Sequence, residues 1–416
     1  MPMEIWMTKA GIGDCIVIRC GKGEKRVNLL IDSGQGAVGF ESVVHRIYWN
    51  GEKIDILILT HDDNDHVKGA CNLLERIYRT QEGCVNKDIP SGRLFSELTV
   101  EQILFNFGGN GIENLGVKEV QKLSDTWKED IDFHQLGFVL SDEEEENRAG
   151  YLNMLQLRWK IEDGILKSEI LRHPKQEDLQ TECEHLELVV LSPKKDTLIE
   201  YIESAWGELN KKELLKAERK EKEDEWKSSI QYWLDNPMSL GKDGSKANHA
   251  SIAFLLFYEE HTMLFSGDAS PYEMIAAGKR YLQKSGRSEK YLELDFIKLS
   301  HHGSSHNINS EFLKFFRTKR YLISTSGHAG YKHPGKGTLA EIAAVLEPGG
   351  RAEIYGNYNW WSQNPKFWKA ESWEGNWNPE RSGCRLKGKD GEFRYLDFYE
   401  LRMEAVEIAD KVLLSI

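Results

Sequence analysis

Several features are missing from this chain, and each absence closes a route. The six cysteines, at positions 15, 20, 71, 84, 183 and 384, form no CxxC pair. The expectation is a reduced, cytoplasmic protein whose cysteines are small buried hydrophobes. No apolar stretch approaches the roughly 18 residues that a membrane span requires. The chain opens on MEIWMTKAGIGDCIVIRC, which reads as strand and not as a charged start followed by an apolar run, so no targeting leader is expected. There is no GxSxG elbow and no GxxxxGK[ST] loop, which removes the serine-hydrolase and P-loop routes. No internal repeat occurs at the roughly 20–50-residue period of solenoids and propellers.

What is present is an ordinary globular composition, 40% hydrophobic and 29% charged. A length of 416 residues suits one large domain with insertions, or two domains. The formal net charge of -13 repels nucleic acid at long range and argues against a non-specific DNA-coating protein. It is compatible with a local basic groove and with concentrating divalent cations.

Residues 1–75 read as strand, turn, strand, strand, helix, strand, helix. Gly11 and Gly13 mark the first turn, and VNLLIDSG ends a strand at Asp32-Ser33-Gly34. IDILILTH is an almost continuous apolar run of strand length, as expected for a strand covered on both faces, and it stops at His61. VKGACNLLERIY then has helical spacing. Across 76–245 charge density rises and the strand–helix rhythm weakens. We read this segment as a mainly helical insertion, with an acidic solvated run at Asp142 to Glu146 and long charged helices within 196–235. The rhythm returns over 246–357: a strand pair across Glu259-Glu260-His261, a helix at 271–284, a strand DFIKLSHHGSS, a strand RYLISTSG and a helix KGTLAEIAAVLE. Residues 358–416 read as a Trp-rich loop and closing strands. Trp360, Trp361, Trp368, Trp373 and Trp377, interleaved with Lys366 and Lys369, are either an aromatic platform for bases or sugars or, the favoured reading, a loop pinned over the core.

The strongest signal is Thr60-His61-Asp62-Asp63-Asn64-Asp65-His66, between a buried strand and a helix. Loops at strand ends are where α/β sheets place ligands. His61, Asp63, Asp65 and His66 can converge on one point because the loop turns sharply, and this mixture of N and O ligands suits zinc or manganese. The pattern recurs downstream. Phe265-Ser266-Gly267-Asp268 places a carboxylate at a strand end, where it could bridge two cations. Ser300-His301-His302-Gly303-Ser304 places imidazoles at another. Three such strand ends fit one two-metal site along the edge of a sheet sandwich.

Strand-T-H-x-[HD]-x-D-H, then G-D, then a late His, resembles the metallo-β-lactamase fold, an α/β architecture (an αββα sandwich) of two stacked sheets between outer helices. GDCIVI, Asp63, FSGD, KLSHHGSS and GYKHP together look like the hydrolase domain of ComEC-type competence proteins and its stand-alone bacterial relatives. The resemblance covers about residues 3–75 and 246–357. It implies that His61 and Asp63 hold one metal, that Asp65 and His66 hold a second, and that Asp268 bridges both. The late ligand is His301 or His302, with His302 slightly favoured. His249, or Asn248 in its place, stands at the family's middle histidine. Asp63 replaces the usual His, which hardens the first site toward manganese or weaker zinc binding. His333 in GYKHP would contact a phosphate or assist the leaving group, or is a structural histidine of a Gly- and Pro-rich loop; His328 sits in the same loop, and Asp14 and Asp32 would order loops near the ligands.

The resemblance thus implies a metal-dependent hydrolase holding one or two Zn2+ or Mn2+ ions, with Asp65, Asp268 and His333 as the catalytic candidates. Its substrate would contain phosphate, as nucleic acid or nucleotide, with Lys298, His302, Lys332 and His333 as sources of positive charge. A thioester or lactone hydrolase is the alternative within the fold. A scaffold that binds a protein partner through the insertion is the alternative outside catalysis.

Overall fold

A computed structural model describes residues 3–35, 37–81, 90–105, 169–171, 186–194, 196–198, 200–201, 228–237, 243–327, 333–363, 368, 376–380, 382–401, 406–408 and 411–415. The first sheet contains β1 (Met3–Met7), β2 (Ile16–Cys20), β3 (Val27–Ile31), β4 (Ile54–Leu59), β5 (Val100–Phe105) and β6 (Glu169–Leu171). The second begins with β7 (Leu186–Ser192), β8 (Ala253–Tyr258) and β9 (His261–Phe265). Strands β10 (Leu292–Glu293) and β12 (Phe316–Arg317) pair with each other, on either side of β11 (Phe296–Lys298) in the chain. The remaining strands are β13 (Arg320–Ile323), β14 (Arg351–Gly356), β15 (Trp377–Asn378), β16 (Gly383–Lys387), β17 (Phe393–Glu400), β18 (Val406–Ile408) and β19 (Lys411–Ser415). Among the described residues the first sheet runs β18-β19-β1-β2-β3-β4-β5-β6 and the second β15-β16-β17-β14-β13-β11-β9-β8-β7.

Period-two alternation decides the layering, because successive side chains of a strand point to opposite faces. On β2, Ile16, Ile18 and Cys20 join the core between the sheets while Val17 joins the outer core of the first sheet. On β4, Ile56 and Ile58 point inward and Leu57 and Leu59 outward. On β8 and β9, Phe254, Leu256, Met263 and Phe265 face the first sheet, and Leu255 and Leu264 face away. Helices Ala37–Trp49, Asn64–Gln81 and Pro90–Glu97 cover the outer face of the first sheet. Helices Pro271–Lys284, Ser310–Phe315 and Lys336–Val345 cover the second. The result is the four-layer αββα sandwich expected from the sequence. Ser270-Pro271 opens its helix at the expected residue, as a Pro at the first helical position should.

The expected boundaries differ in one respect. The segment 76–245 supplies β5 and β6 to the first sheet and β7 to the edge of the second, and the helix begun at Asn64 runs to Gln81. β5 reads VEQILF, with two adjacent polar residues, where its neighbour β4 (IDILIL) has the single polar Asp55. The acidic run at 142–146 and the charged run at 211–227 lie outside the described residues. At the other end, β16 and β17 extend the second sheet, and β19 pairs in parallel with β1.

Trp360, Trp361 and Trp368 are buried and pack with one another, and Trp361 and Trp377 lie against Phe398. For these residues the reading of a segment pinned over the core holds; Trp373, Lys366 and Lys369 lie outside the described residues. No disulfide joins Cys15, Cys20, Cys71 or Cys384, and burial pushes the Cys15 thiol up to about 12, which keeps it inert at neutral pH. Cys84 and Cys183 lie outside the described residues. Among the described residues no helix is long and apolar enough to cross a membrane.

Candidate metal centre

Four chain segments meet where the strands of both sheets end. The first sheet brings Asp32 after β3 and the turn 60–66 after β4. The second brings Asp268 after β9 and the turn 300–303 after β11. The Ile252 N–H donates to the Thr60 carbonyl at 2.8 Å, which closes the sandwich edge at this corner. Two glycines are required by close approach. Gly267 has φ +47°, and a Cβ there would lie 2.4 Å from Ser251 Oγ; Gly13 lies so close to the Asp65 carbonyl that a Cβ would overlap it at 1.7 Å. His301 and His302 are both left-handed, at φ +49° and +53°. Such residues cost about 1–2 kcal/mol each. The turn is held by the His301 N–H on the Gly267 carbonyl (3.0 Å) and the Gly335 N–H on the Gly303 carbonyl (2.9 Å).

The donor atoms converge. His61 Nε2 lies 3.5 Å from Asp63 Oδ2 and 3.7 Å from Asp268 Oδ2. His66 Nε2 lies 3.8 Å from Asp65 Oδ2 and 3.7 Å from Asp268 Oδ2. His301 Nε2 lies 3.7 Å from Asp268 Oδ2, and His302 Nε2 lies 3.2 Å from Asp65 Oδ2. Ligand atoms of His61, His66 and Asp268 all fall within 4.8 Å of one another, as do those of Asp14, His66 and His302.

Each imidazole is gripped at Nδ1, leaving Nε2 to face the centre. Asp32 Oδ2 accepts from His66 Nδ1 at 2.8 Å while also taking the Thr60 hydroxyl at 2.8 Å, and Asp32 Oδ1 takes the Thr60 N–H at 2.7 Å. The Ser324 carbonyl accepts from His302 Nδ1 at 2.9 Å. Around His301 Nδ1 stand Asn307 Oδ1 at 3.1 Å, the Asn248 amide at 3.3 Å and Asp243 Oδ2 at 3.4 Å. His61 Nδ1 meets the hydroxyls of Thr60 (3.0 Å) and Ser251 (3.3 Å). Holding one ring nitrogen in this way fixes the tautomer and orients the other for a ligand.

The charges explain the pKa shifts. Burial by itself pulls the His61 imidazole down, but Asp268 and Asp63 outweigh it and hold it raised to about 10. His66, His301 and His302 are raised against burial in the same way, by Asp268 and by their own carboxylate neighbours. Burial opposes ionisation of Asp65 and Asp268 as well, yet the surrounding imidazoles keep both lowered, Asp268 to about 2. His333 shows the reverse. Burial, then His301 and His302, drive it well below the ordinary range; its ring centroid is 4.9 Å from that of His301.

His61, Asp63, Asp65, His66, Asp268, His301 and His302 are brought together, and both late histidines border the site. His249 belongs to neither cluster of potential ligands; its neighbour Asn248 is the buried residue whose amide reaches His301. A single turn of helix, Lys246–His249, decides which of the two faces inward. Lys298 was expected to offer charge to a phosphate. It is instead fully buried and ion-paired with Asp14. Lys332 and His328 lie outside the described residues. Sequence reasoning missed Asp243 and Asn307, which hold His301 from outside the motifs. Asp243 sits in a Gly- and Ser-rich loop without a distinguishing signal.

The donor set fits divalent cations. Nε2 of His61, Nε2 of His66 and Oδ1 of Asp268 are buried without a hydrogen-bond partner among the described residues. Buried polar atoms are normally paired, and exceptions call for an explanation such as an ion. Two ligands of one ion, each about 2.1 Å away, stand roughly 3–3.5 Å apart, close to the separations seen here. No curated protein matches this chain. Residues 8–140, which include Asp14, Asp32 and the turn from His61 to His66, match the model of the Metallo-beta-lactamase superfamily; Asp268, His301 and His302 lie beyond that match and are brought to it by the fold. The chain is therefore similar over residues 8–140 to the metallo-beta-lactamase superfamily and has the corresponding two-sheet sandwich.

Proposed function

We propose that the protein is a metal-dependent hydrolase of phosphodiesters, a phosphodiesterase or nuclease that consumes one water per bond cut. The observation that carries this reading is the group of buried, unpartnered Nε2 and carboxylate atoms of His61, His66 and Asp268 at the sandwich edge. His61 and Asp63 would hold one ion, Asp65, His66 and His302 a second, and Asp268, equidistant from His61, His66 and His301, would lie between them. Divalent ions there would supply Lewis acidity and an activated water.

The chain's own residues do the rest. Asp65 and Asp268 stay ionised and present oxygens only. His333, held neutral, offers an imidazole nitrogen to a substrate oxygen beside His301. The oxygen-rich set created by Asp63 suits Mn2+ as well as Zn2+. The phosphodiester class is favoured over thioesters and lactones by the likeness of the five motifs to ComEC-type hydrolase domains. The net charge of -13 favours a nucleotide or single strand over broad duplex contact.

The test is cleavage of single-stranded DNA, RNA and a bis-nitrophenyl phosphate reporter with Mn2+ or Zn2+, beside a thioester reporter. Phosphodiester cleavage that vanishes in Asp65→Ala and Asp268→Ala supports the reading. Metal binding with thioester cleavage alone overturns the substrate class. Absence of all hydrolysis by the metal-loaded protein would leave the partner-binding scaffold.

A further inference from the structure

Lys298 ends β11 in the second sheet, and Asp14 immediately precedes β2 in the first. Both are buried, and they form an ion pair across the sandwich edge. Asp14 lies in the loop 8–15, which is tied to the second sheet at four further points. Gly11 O takes the Ser326 N–H (2.9 Å), Gly13 O the Ser324 hydroxyl (2.9 Å), Thr8 O the Asn357 amide (2.7 Å), and the Gly11 N–H donates to the Tyr358 hydroxyl (2.9 Å). The fold of this loop therefore does not depend on the Lys298 ammonium alone. A buried ion pair is weak as a source of stability, since desolvating both charges offsets their attraction. Its placement calls for another reason.

That reason lies on the other oxygen of Asp14. Oδ2 is ion-paired with Lys298, and Oδ1, which makes no hydrogen bond among the described residues, lies 3.3 Å from His302 Nδ1 as a charge contact. The same Nδ1 donates to the Ser324 carbonyl at 2.9 Å, and the opposite nitrogen, Nε2, faces Asp65. His302 sits in a left-handed backbone conformation, which persists where the surrounding structure holds it. We propose that the Asp14–Lys298 pair is a positioning device for His302: Lys298 anchors one carboxylate oxygen so that the other, with the Ser324 carbonyl, sets the imidazole against Asp65. The inference rests on the metal-site reading above. It gives Lys298 a role inside the protein in place of one toward substrate.

Removing one partner strands a buried charge, so the test uses variants that do not. Asp14→Asn/Lys298→Met removes both charges. Asp14→Glu keeps the pair but shifts the carboxylate by one methylene. Thermal melting without metal and Mn2+ and Zn2+ titration are measured on each variant and on the wild type. The expected result is a double variant that melts near the wild type yet binds metal about 10–100-fold more weakly, the usual effect of losing a partner behind a ligand. Asp14→Glu should show the same weakening. Wild-type metal affinity in the folded variants overturns the positioning role while leaving the metal site standing. A wild type that binds no metal overturns both. If neither variant folds, the pair is a brace of the fold and the inference is withdrawn.

Discussion

Between Thr60 and His66 the chain places four candidate ligands in one short turn, and the groups that grip His66 come from the same sheet. Between Ser300 and Ser304 it places two, in a left-handed turn whose imidazoles are gripped from elsewhere: Asp243, Asn248 and Asn307 for His301, Ser324 and Asp14 for His302. The first turn takes its ligands from one strand end and one helix start, with Asp32 and the Ser251 hydroxyl added from outside it. The second is assembled by the tertiary fold. Asp268 stands between the two, near equal distances of 3.7 Å from His61, His66 and His301.

The comparison is broken most severely at that shared residue. Asp268→Ala should disconnect the two turns and lower hydrolysis by about three orders of magnitude, on the order of the ~4 kcal/mol lost with a charge-stabilising group; single-turnover cleavage assays measure it. Next comes the packing that seats the first turn. In Gly13→Ala the new methyl would land on the Asp65 carbonyl, and a destabilisation of about 3 kcal/mol or more is expected in denaturant melts. A variant of wild-type stability would show that the loop 8–15 is not tightly seated there.

A subtler change separates gripping from ligating. Both oxygens of Asp32 accept hydrogens, from the Thr60 N–H, the Thr60 hydroxyl and His66 Nδ1. An amide cannot accept at both ends, so Asp32→Asn should leave every ligand in place and weaken metal binding about 10–100-fold. Titration calorimetry reads this directly, and unchanged affinity would remove Asp32 from the site.

The smallest expected effect is electrostatic. His61 is raised from 6.5 to about 10 because Asp268 and Asp63 outweigh its burial. A raised imidazole contributes stability that is complete below its unfolded value and is lost as pH climbs through the folded one. The metal-free melting temperature should therefore fall between about pH 6.5 and 10. The loaded protein should fall less, since a ligand imidazole is already neutral. A flat metal-free profile would show that the histidines of the two turns do not carry protons between these carboxylates.

Much of this was legible in the sequence because it is encoded locally. β4 lies in an apolar run, broken only at Asp55, that stops at His61, Ser270-Pro271 opens its helix, and Gly267 precedes Asp268 in a turn that admits no side chain. What escaped is nonlocal. Whether Asn248 or His249 faces the centre depends on the phase of one short helical turn. The sequence offers His301 and His302 as alternatives, but two successive left-handed residues let both border the site. Lys298 reads as a free cation in the sequence, and only the approach of Asp14 from the other sheet shows that it is spent internally. β5 was hidden because its parallel neighbour β4 supplies the pairing that its own polar residues obscure.

The most direct test of the central claim is the metal stoichiometry of the folded protein, by elemental analysis after dialysis against Mn2+ or Zn2+, with Asp268→Ala alongside. The account predicts one or two ions per wild-type chain and a marked loss in the variant. A wild-type chain that folds and retains no divalent ion, or a variant that retains as much as the wild type, would contradict it.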